Sequence, residues 1–509
     1  MGGGRSPAEE EISMQFFLLA RHARLAVPTA LSATLLATPL AAQGPQQASV
    51  TINPAQVGAT LTNQILGANM GNWFDPTRPG LASTMAGVGF TTTRWPGGSN
   101  SDLYHLATNS DCFGAYVSPN ATFDNFVNDI VKPAGLTLAI TLNYGTNAAC
   151  TGGGDPKEAA AWVSYAKSKG YAVSHWTIGN EVYGTWEKDL HALPNDPTTY
   201  ANAVSTGFYP AIKAVDPNAQ VGVVVDAGDR WGVANWDQIV LSKASYDFVE
   251  YHWYAQGAGY ENDSYLISST PAQLAQNIAT IRQELAAAGK PNTPIIIGEL
   301  GSVNQNPGKQ SMSITQALFA GEVLGELMQA GIPTANWWIA HGDCRDPSGG
   351  GNYASSLYGW QNFGGYQIIS DGLPTYGCAN APTIPLNTLL PTAQAFKLAS
   401  LVARNGEHML GSTLGGAGVA NLRAYAMTNQ GGTAVMLFNL NQSSSLQVTI
   451  GVTGVSQSSG VTVSSYDRGT YDWSTRNIWR GVTTSSLGAK SLPLALTLTP
   501  WSMTVVQFK

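Results

Sequence analysis

His175-Trp176-Thr177-Ile178-Gly179-Asn180-Glu181 is a short apolar stretch that ends in an amide and a carboxylate. A second stretch, Pro294-Ile295-Ile296-Ile297-Gly298-Glu299-Leu300, has the same plan and delivers another glutamate. Short apolar runs that end in polar residues are typical of buried strands. In a parallel barrel, the carboxyl ends of all strands converge on one face. The two stretches therefore predict that Glu181 and Glu299 lie together at the mouth of a barrel.

Eight apolar runs of this kind are separated by segments with helical periodicity. The runs cover residues 65–70, 90–95, 136–143, 174–181, 221–226, 246–254, 294–300 and 334–341. Between them, residues 159–169, 199–215, 271–288 and 313–330 repeat apolar positions at three-to-four spacing and stop at glycine or at Asp-Pro. Strand and helix alternating eight times predict an α/β fold, a (β/α)8 TIM barrel over residues 54–400.

Helical periodicity ends near residue 401, and the remaining chain has the pattern of short strands. Residues 422–426, 434–439, 446–450, 461–466, 494–498 and 503–508 are separated by turns rich in glycine, serine and asparagine. This pattern predicts an additional all-β sandwich domain over residues 401–509. A lone alternating stretch at residues 48–53 has no partner in the barrel, so we assign it to the sandwich as well.

The amino-terminal 42 residues have the composition of a secretory signal with a few upstream residues. Arg21 and Arg24 precede an apolar run that ends in Ala41-Ala42, and Pro28 and Pro39 interrupt that run. We expect a secreted or periplasmic protein with no membrane association after signal removal, and an uncleaved anchor is the alternative. The net charge of -7, with only 11% charged residues, argues against a nucleic-acid partner. The oligomeric state stays open.

The chain contains four cysteines, which favour disulfides in an exported protein. Cys112 and Cys150 follow consecutive predicted strands, whereas Cys344 and Cys378 share the loop after the last one, and we expect a disulfide within each pair. Four free thiols are the alternative. Because the chain has no Cys-x-x-Cys pair and no regular ladder of calcium ligands around Asp343, we expect no metal and no cofactor.

The predicted strand ends carry amides, aromatic rings and carboxylates, which are the groups that bind sugars. Flat apolar sugar faces stack on tryptophan and tyrosine, and sugar hydroxyls hydrogen-bond to amides and carboxylates. We therefore expect a carbohydrate substrate, an oligosaccharide or a polysaccharide. The candidate substrate-binding residues are Arg94, Asp102, Tyr104, Asn143, Asn180, His252, Tyr254 and Trp338.

Cleavage of a glycosidic bond needs one proton donor and one nucleophile or base across the ring. We expect Glu181 to be the donor, with a raised pKa, and Glu299 to be the nucleophile, kept ionised by Arg94. Asn180 would hold a sugar hydroxyl beside the reacting carbon, and His252 or Tyr254 would orient a carboxylate. Glu250 lies inside the sixth predicted strand, and we interpret it as structural.

Several of these motifs resemble a known group of enzymes. Residues 178–181 are similar to the Asn-Glu signature on strand four of the large glycoside hydrolase clan with (β/α)8 barrels, and Glu299 matches the strand-seven nucleophile of that clan. Arg94-Trp95-Pro96-Gly97-Gly98-Ser99 resembles the Arg-Tyr-Pro-Gly-Gly-Asn stretch of family 51 α-L-arabinofuranosidases. Families 39, 44 and 79 share this plan of barrel and β-sandwich. Trp95 and Ser99 differ from the tyrosine and the asparagine that the family 51 stretch has at these two positions.

The resemblance covers residues 50–509 and implies net retention, with Glu181 as acid/base and Glu299 as nucleophile. We expect a secreted retaining glycoside hydrolase that cleaves plant or microbial polysaccharide by double displacement, similar to an α-L-arabinofuranosidase. An endo-acting β-glucanase or xylanase is one alternative. A non-catalytic polysaccharide-binding protein is a second alternative from another class, and transglycosylation is a third.

Overall fold

The structure is a computed structural model that describes residues 46–342, 351–360, 363–372 and 383–509. The predicted signal segment lies outside these residues, and so do Cys344, Cys378 and the loop around Asp343. Within the described residues, Cys112 and Cys150 form a disulfide with a Cα–Cα distance of 5.6 Å. This confirms the first of the two predicted cross-links.

Eight parallel strands close into a barrel, which confirms the predicted fold class. They are β1 (Gly67–Asn69), β2 (Thr92–Trp95), β3 (Thr137–Leu142), β4 (Val173–Ile178), β5 (Val221–Val225), β6 (Phe248–Gln256), β7 (Ile295–Val303) and β8 (Ala335–Trp337). All five residues of β5 are buried, as expected for a strand covered on both faces. Its residues are apolar because one face of the strand fills the barrel interior and the other packs against helices. Strands β1, β2 and β8 instead carry buried polar residues such as Asn69, Arg94 and Asn336.

Helices surround the barrel, and several begin with a clear capping signal. The aspartates Asp155 and Asp196 each precede a proline, and their side chains accept the backbone N–H groups of Lys157 and Thr199. The longer α-helices are Leu81–Val88, Pro156–Ser168, Pro197–Ala203, Tyr209–Val215, Trp236–Lys243, Thr270–Ala287, Ile314–Gln329 and Pro391–Ser400. Short ones are Phe123–Asn125, Lys132–Ala134, Asp263–Ser268 and Arg468–Tyr471. None of the helices in the described part of the chain has the length and apolarity of a membrane span.

Nine further strands form one continuous sheet, and the first described strand lies inside it. The spatial order is Thr483–Ser491, Gln457–Asp467, Ser502–Phe508, Gly432–Asn439, Leu422–Asn429, His408–Gly415, Gln46–Thr60, Leu446–Val452 and Leu494–Leu498. Neighbours are antiparallel except for Gln46–Thr60 and Leu446–Val452, which run parallel. The first and last described strands are therefore both built into this sheet.

The nine-stranded sheet buries both of its faces. Val461, Val435 and Leu498, from the second, fourth and ninth strands in the order, share one apolar cluster, so the sheet folds over itself as the predicted sandwich. On the opposite face, Met503 packs against helix Ile314–Gln329, where a Cβ added to Gly321 would lie 2.3 Å from its sulfur. The barrel and the sheet therefore share a close-packed interface.

Candidate active site

A pocket of about 510 Å³ opens at the carboxyl ends of the barrel strands. Loops that follow β2, β4, β5, β6, β7 and β8 contribute to its wall. Six of the residues predicted from the sequence line it, namely Asn180, Glu181, His252, Tyr254, Glu299 and Trp338. The structure therefore brings both predicted catalytic glutamates to one cavity.

Glu181 lies on a tight turn directly after β4 rather than within the strand. Gly179 and Glu181 have φ values of 78° and 38°, so the backbone passes twice through the left-handed region. The carboxylate of Asp102 fixes this turn, because it accepts the N–H of Asn180 at 2.7 Å and that of Tyr144 at 2.8 Å. Burial raises the pKa of Asp102 to about 7, although these backbone hydrogen bonds act to lower it.

Both oxygens of Glu181 have a hydrogen-bonding partner. Oε1 lies 2.9 Å from Nδ1 of His252, and Oε2 accepts the indole N–H of Trp186 at 2.9 Å. Burial alone would raise the pKa of Glu181, but the two donors and the positive charge of His252 hold it below the usual value. The raised pKa that we expected for the proton donor is therefore not present in this state of the site.

Glu299 lies at a bulge in β7, where the register against β6 shifts and places it opposite His252. Its Oε1 accepts a hydrogen bond from Nη1 of Arg94 at 3.0 Å, and its Oε2 accepts the hydroxyl of Tyr254 at 2.9 Å. Burial raises the pKa of Glu299, although His252 and Arg94 oppose that effect. Two donors thus fix the orientation of this carboxylate.

His252 is surrounded by three carboxylates. Its Nδ1 is 2.9 Å from Glu181 Oε1 and 3.8 Å from Glu299 Oε1, and its Nε2 is 3.0 Å from Glu250 Oε1. Burial lowers the pKa of His252, but the three acidic neighbours outweigh burial and raise it to about 9. At neutral pH the imidazole is therefore a cation, and one mobile proton lies beside Glu181.

Arg94 lies beneath the pocket, where it joins the two halves of the site. Its Nε is 3.0 Å from Glu250 Oε1, and its Nη2 donates to Asn180 Oδ1 at 2.8 Å. Burial would raise the pKa of Glu250, but Arg94 and His252 lower it to about 2. Arg94 thus contacts Glu299 as predicted, yet it does not reach the pocket surface itself.

Besides Arg94, three of the predicted substrate-binding residues do not line the pocket. Asp102 is fully buried behind the turn that it holds. Asn143 donates to the carbonyl of Tyr104 and accepts the N–H of Thr146, so its amide is used within the loop. The ring of Tyr104 is buried against Trp95 at a centroid distance of 5.2 Å. Each side chain satisfies its polar atoms inside the protein, and this orientation points them away from a ligand.

Trp338 forms the wall opposite the β5 and β6 loops, and Gly98 makes its position possible. Gly98 has a φ of 57°, and a Cβ added there would lie 2.8 Å from the Trp338 ring. Only glycine combines that backbone with that approach. The peptide bond from Trp338 to Ile339 is cis.

Four residues stand out among those of the pocket region that were not identified from the sequence. Trp186, Arg230 and Trp231 line the pocket, while Glu187 is buried and accepts hydrogen bonds from Ser99 and from the amide of Asn180, each at 2.8 Å. Burial raises the pKa of Glu187 well above its usual value. The signal for Trp186 was its place five residues beyond Glu181, and Trp231 follows the end of β5 in Asp-Arg-Trp-Gly.

Glu181, His252 and Glu299 also have the ligand types of a metal site. One ligand atom from each lies within 4.8 Å of the others, and within the described ranges only His105 and the disulfide cysteines form another such group. Nδ1 of His252 lies 2.9 Å from Glu181 and 3.8 Å from Glu299, so the same trio can also pass a proton between its members.

No family model and no curated protein matches the chain. Solved structures do: the thermostable family 51 α-L-arabinofuranosidase from Thermotoga petrophila RKU-1 aligns with a TM-score of 0.69 at 18% identity, covering 91% of this chain and all of that one. A bifunctional glucanase-xylanase from a metagenome library aligns with a TM-score of 0.62 at 15% identity, covering 92% of this chain and 99% of that one. A family 44 xyloglucanase of Paenibacillus polymyxa aligns with a TM-score of 0.61 at 12% identity, covering 91% of this chain and 100% of that one.

These similarities extend over nearly the whole of each neighbour. They confirm that the chain has the barrel-and-sandwich fold that its motifs predicted, the architecture of family 51 and family 44 glycoside hydrolases. At these identities the likeness concerns the fold, so the chemistry must be argued from the site.

Proposed function

We propose that this protein is a glycoside hydrolase that acts with retention, using Glu181 as acid/base and Glu299 as nucleophile. The observation that carries the proposal is the short separation of the two carboxylates, because an oxygen of each lies within 4.8 Å of the other inside one pocket. Retaining enzymes keep their carboxyl groups about 5–5.5 Å apart, whereas inverting enzymes leave about 6.5–9.5 Å for a water molecule. The measured arrangement supports the retaining geometry.

In the first step, a carboxylate oxygen of Glu299 attacks the anomeric carbon while Glu181 gives its proton to the departing oxygen. The bond to the leaving sugar breaks, and a covalent glycosyl-enzyme forms. In the second step, Glu181 takes a proton from water, and the water oxygen replaces Glu299 at the same carbon. The hydrogen bonds from Arg94 and Tyr254 hold Glu299 in line for the attack.

The proton for the first step is stored on His252. Nδ1 of His252 already faces Glu181 Oε1 at 2.9 Å, so one short transfer along that hydrogen bond loads the acid. Substrate binding favours the transfer, because a sugar in the pocket excludes water and disfavours two separated charges. Glu250 accepts from the other ring nitrogen and keeps the imidazole oriented.

Asn180 positions the sugar. Its Oδ1 is occupied by Arg94 and one of its amide hydrogens by Glu187, which leaves one N–H for a sugar hydroxyl. Trp338 provides the apolar surface on the other side of the pocket. Because Arg94 and Glu187 already hold the amide of Asn180 in place, this side chain loses little conformational entropy when the substrate binds.

The favoured substrate is a plant or microbial polysaccharide carrying arabinofuranosyl units, as the Arg94–Ser99 motif and the family 51 neighbours suggest. A second candidate is an endo-acting β-glucanase or xylanase. It is supported by a bifunctional glucanase-xylanase with nearly the same fold agreement, and by exposed tryptophans along the pocket wall. We further propose that the protein is exported, which the signal-like amino terminus and the Cys112–Cys150 disulfide support.

Replacement of Glu181 by Ala tests the proposal. Azide is an anionic nucleophile that needs no general base, so it should attack the glycosyl-enzyme in place of water and displace Glu299. It should restore turnover of substrates with good leaving groups, and the product should be the glycosyl azide of retained configuration. Glu326→Gln, on the barrel helix that faces the sheet, is the matched control and should behave as the wild type. A uniform loss without azide rescue would contradict the acid/base role. Polysaccharide binding without any turnover by the wild type would favour a binding protein.

A further inference from the structure

Trp231 is a large apolar side chain that the protein leaves open to solvent beside the pocket. It follows β5, lines the pocket and is 61% exposed. Tryptophan is usually well buried, because its ring has a large apolar surface. An exposed tryptophan on the wall of a pocket that already holds Asn180 and Trp338 points to a ligand that covers it.

The loop that carries Trp231 is held rigidly by its own carboxylates. Asp226 accepts the N–H groups of Trp231 and Gly232, each at 2.6 Å. Asp229 and Asp237 accept two further backbone N–H groups each from the segment 226–237. A loop with so many backbone groups satisfied presents its side chain in a preorganised position.

The same loop is attached to the segment that carries the proton donor. The N–H of Val233 donates to the carbonyl of Tyr183 at 3.0 Å, and Tyr183 is two residues beyond Glu181. The N–H of Gly184 in turn donates to the carbonyl of Glu181 at 2.7 Å. Trp231 therefore stands on the Glu181 side of the pocket and not on the side of Trp338.

Polar side chains line the same pocket as the indole. The guanidinium of Arg230 lines the pocket and is anchored by Nη1 to Asn277 Oδ1 at 2.8 Å. Farther along the wall, Gln273 donates to the hydroxyl of Tyr265, and both side chains line the pocket. A pocket wall that combines an aromatic face with an anchored cation, an amide and a hydroxyl matches a sugar ring, which has an apolar C–H face and a rim of hydroxyls.

We propose that Trp231 is the stacking platform for the sugar on the leaving-group side of the scissile bond. This inference rests on the proposed function: the proton of Glu181 goes to the departing oxygen, so whatever lies beyond that oxygen lies on the Glu181 side. The platform selects substrates in which the cleaved bond joins the released sugar to a pyranose. The substrate class is thus an oligosaccharide or polysaccharide with a pyranose backbone, rather than a glycoside of a small alcohol.

The test measures binding without turnover. The Glu299→Gln protein and the same protein with Trp231→Ala are titrated calorimetrically with arabinoxylan oligosaccharides, xylohexaose and cellohexaose. Loss of the indole should weaken binding of the preferred oligosaccharide about tenfold. Trp231→Phe should recover most of the affinity, because it keeps a flat apolar face. Tyr116→Ala, which removes an aromatic ring that is 67% exposed outside the pocket lining, is the matched control and should bind normally.

The inference and the proposed function fail in different ways. Hydrolysis of these oligosaccharides by the wild type, together with unchanged affinity after Trp231→Ala, would overturn the platform and leave the enzyme intact. If Trp231→Ala weakens oligosaccharide binding but the wild type hydrolyses none of these oligosaccharides, the platform is supported and the enzymatic function is overturned. If the protein neither binds nor hydrolyses any pyranose oligosaccharide, the proposed role of Trp231 as a platform is overturned.

Discussion

Nδ1 of His252 lies 2.9 Å from Oε1 of Glu181, and its other ring nitrogen lies 3.0 Å from Glu250. The imidazole therefore connects a carboxylate at the pocket surface to a buried one beneath it. Three carboxylates and two cations, Arg94 and His252, occupy this small region. The consequence is that His252 carries the proton that the proposed reaction needs at Glu181.

The first prediction concerns the pH profile. For a substrate with a sugar leaving group, kcat/KM should fall as the pH rises through about 9, because His252 then loses its proton and Glu181 cannot be loaded. A glycosyl fluoride of the same sugar should keep its rate there, since fluoride departs with little proton assistance. Identical profiles for the two substrates would contradict proton storage on His252.

The same pKa shift predicts a change in stability. The pKa of His252 in the folded protein is raised from 6.5 to about 9, so its stabilising contribution is complete below 6.5 and is lost as the pH rises through about 9. The difference in free energy of unfolding between the wild type and His252→Asn should therefore shrink over that range. Denaturant titrations at a series of pH values measure it, and a constant difference would be the contrary result.

The second prediction concerns Arg94, which neutralises two buried carboxylates. Arg94→Met should lower the free energy of unfolding by about 3–5 kcal/mol, because it leaves Glu250 and Glu299 without their cation. Adding Glu250→Gln should recover part of that loss. Arg476→Met, at an exposed position, is the control and should change stability by less than about 0.5 kcal/mol. Equal stability of Arg94→Met and the control would refute the structural role of the ion pairs.

The third prediction concerns the glycine under Trp338. Gly98→Ala should displace the indole, since the new Cβ would lie 2.8 Å from it on a left-handed backbone. We expect kcat/KM to fall about tenfold as the apolar wall is lost. Gly87→Ala is the matched control, because a Cβ there meets nothing within 4 Å. Unaltered kinetics in Gly98→Ala would show that Trp338 does not bind substrate.

The barrel and the two glutamates were predictable because local sequence encodes them. An apolar run that ends in glutamate brings that glutamate to the barrel mouth, although Glu181 lies on the turn after β4 and Glu299 lies within β7, which continues to Val303. The helical segments carry their own caps and stops. The sandwich was predictable for the same reason, although the alternation at residues 48–53 did not reveal a strand as long as Gln46–Thr60.

The roles of neighbouring polar residues depended on tertiary contacts that the sequence does not encode. Asp102, Tyr104 and Asn143 have the composition of sugar ligands, yet their side chains hydrogen-bond to backbone and side-chain groups of nearby loops. The pKa of Glu181 is likewise set by His252, which comes from another strand. The only sequence signal for Trp231 was its place after β5, because an exposed tryptophan in a loop is identified with a site only when the pocket beside it is known.

Hydrolysis by the wild type and by Glu299→Gln, with Glu326→Gln as control, tests the central claim most directly. The proteins are assayed against aryl glycosides and plant polysaccharides, and the released sugars are identified. We predict that the wild type and the control release one sugar at equal rates, and that Glu299→Gln loses about a thousandfold or more in turnover. If the Glu299→Gln variant turns over substrate at the rate of the wild type, that result would contradict the assignment of Glu299 as the nucleophile, and with it the retaining mechanism.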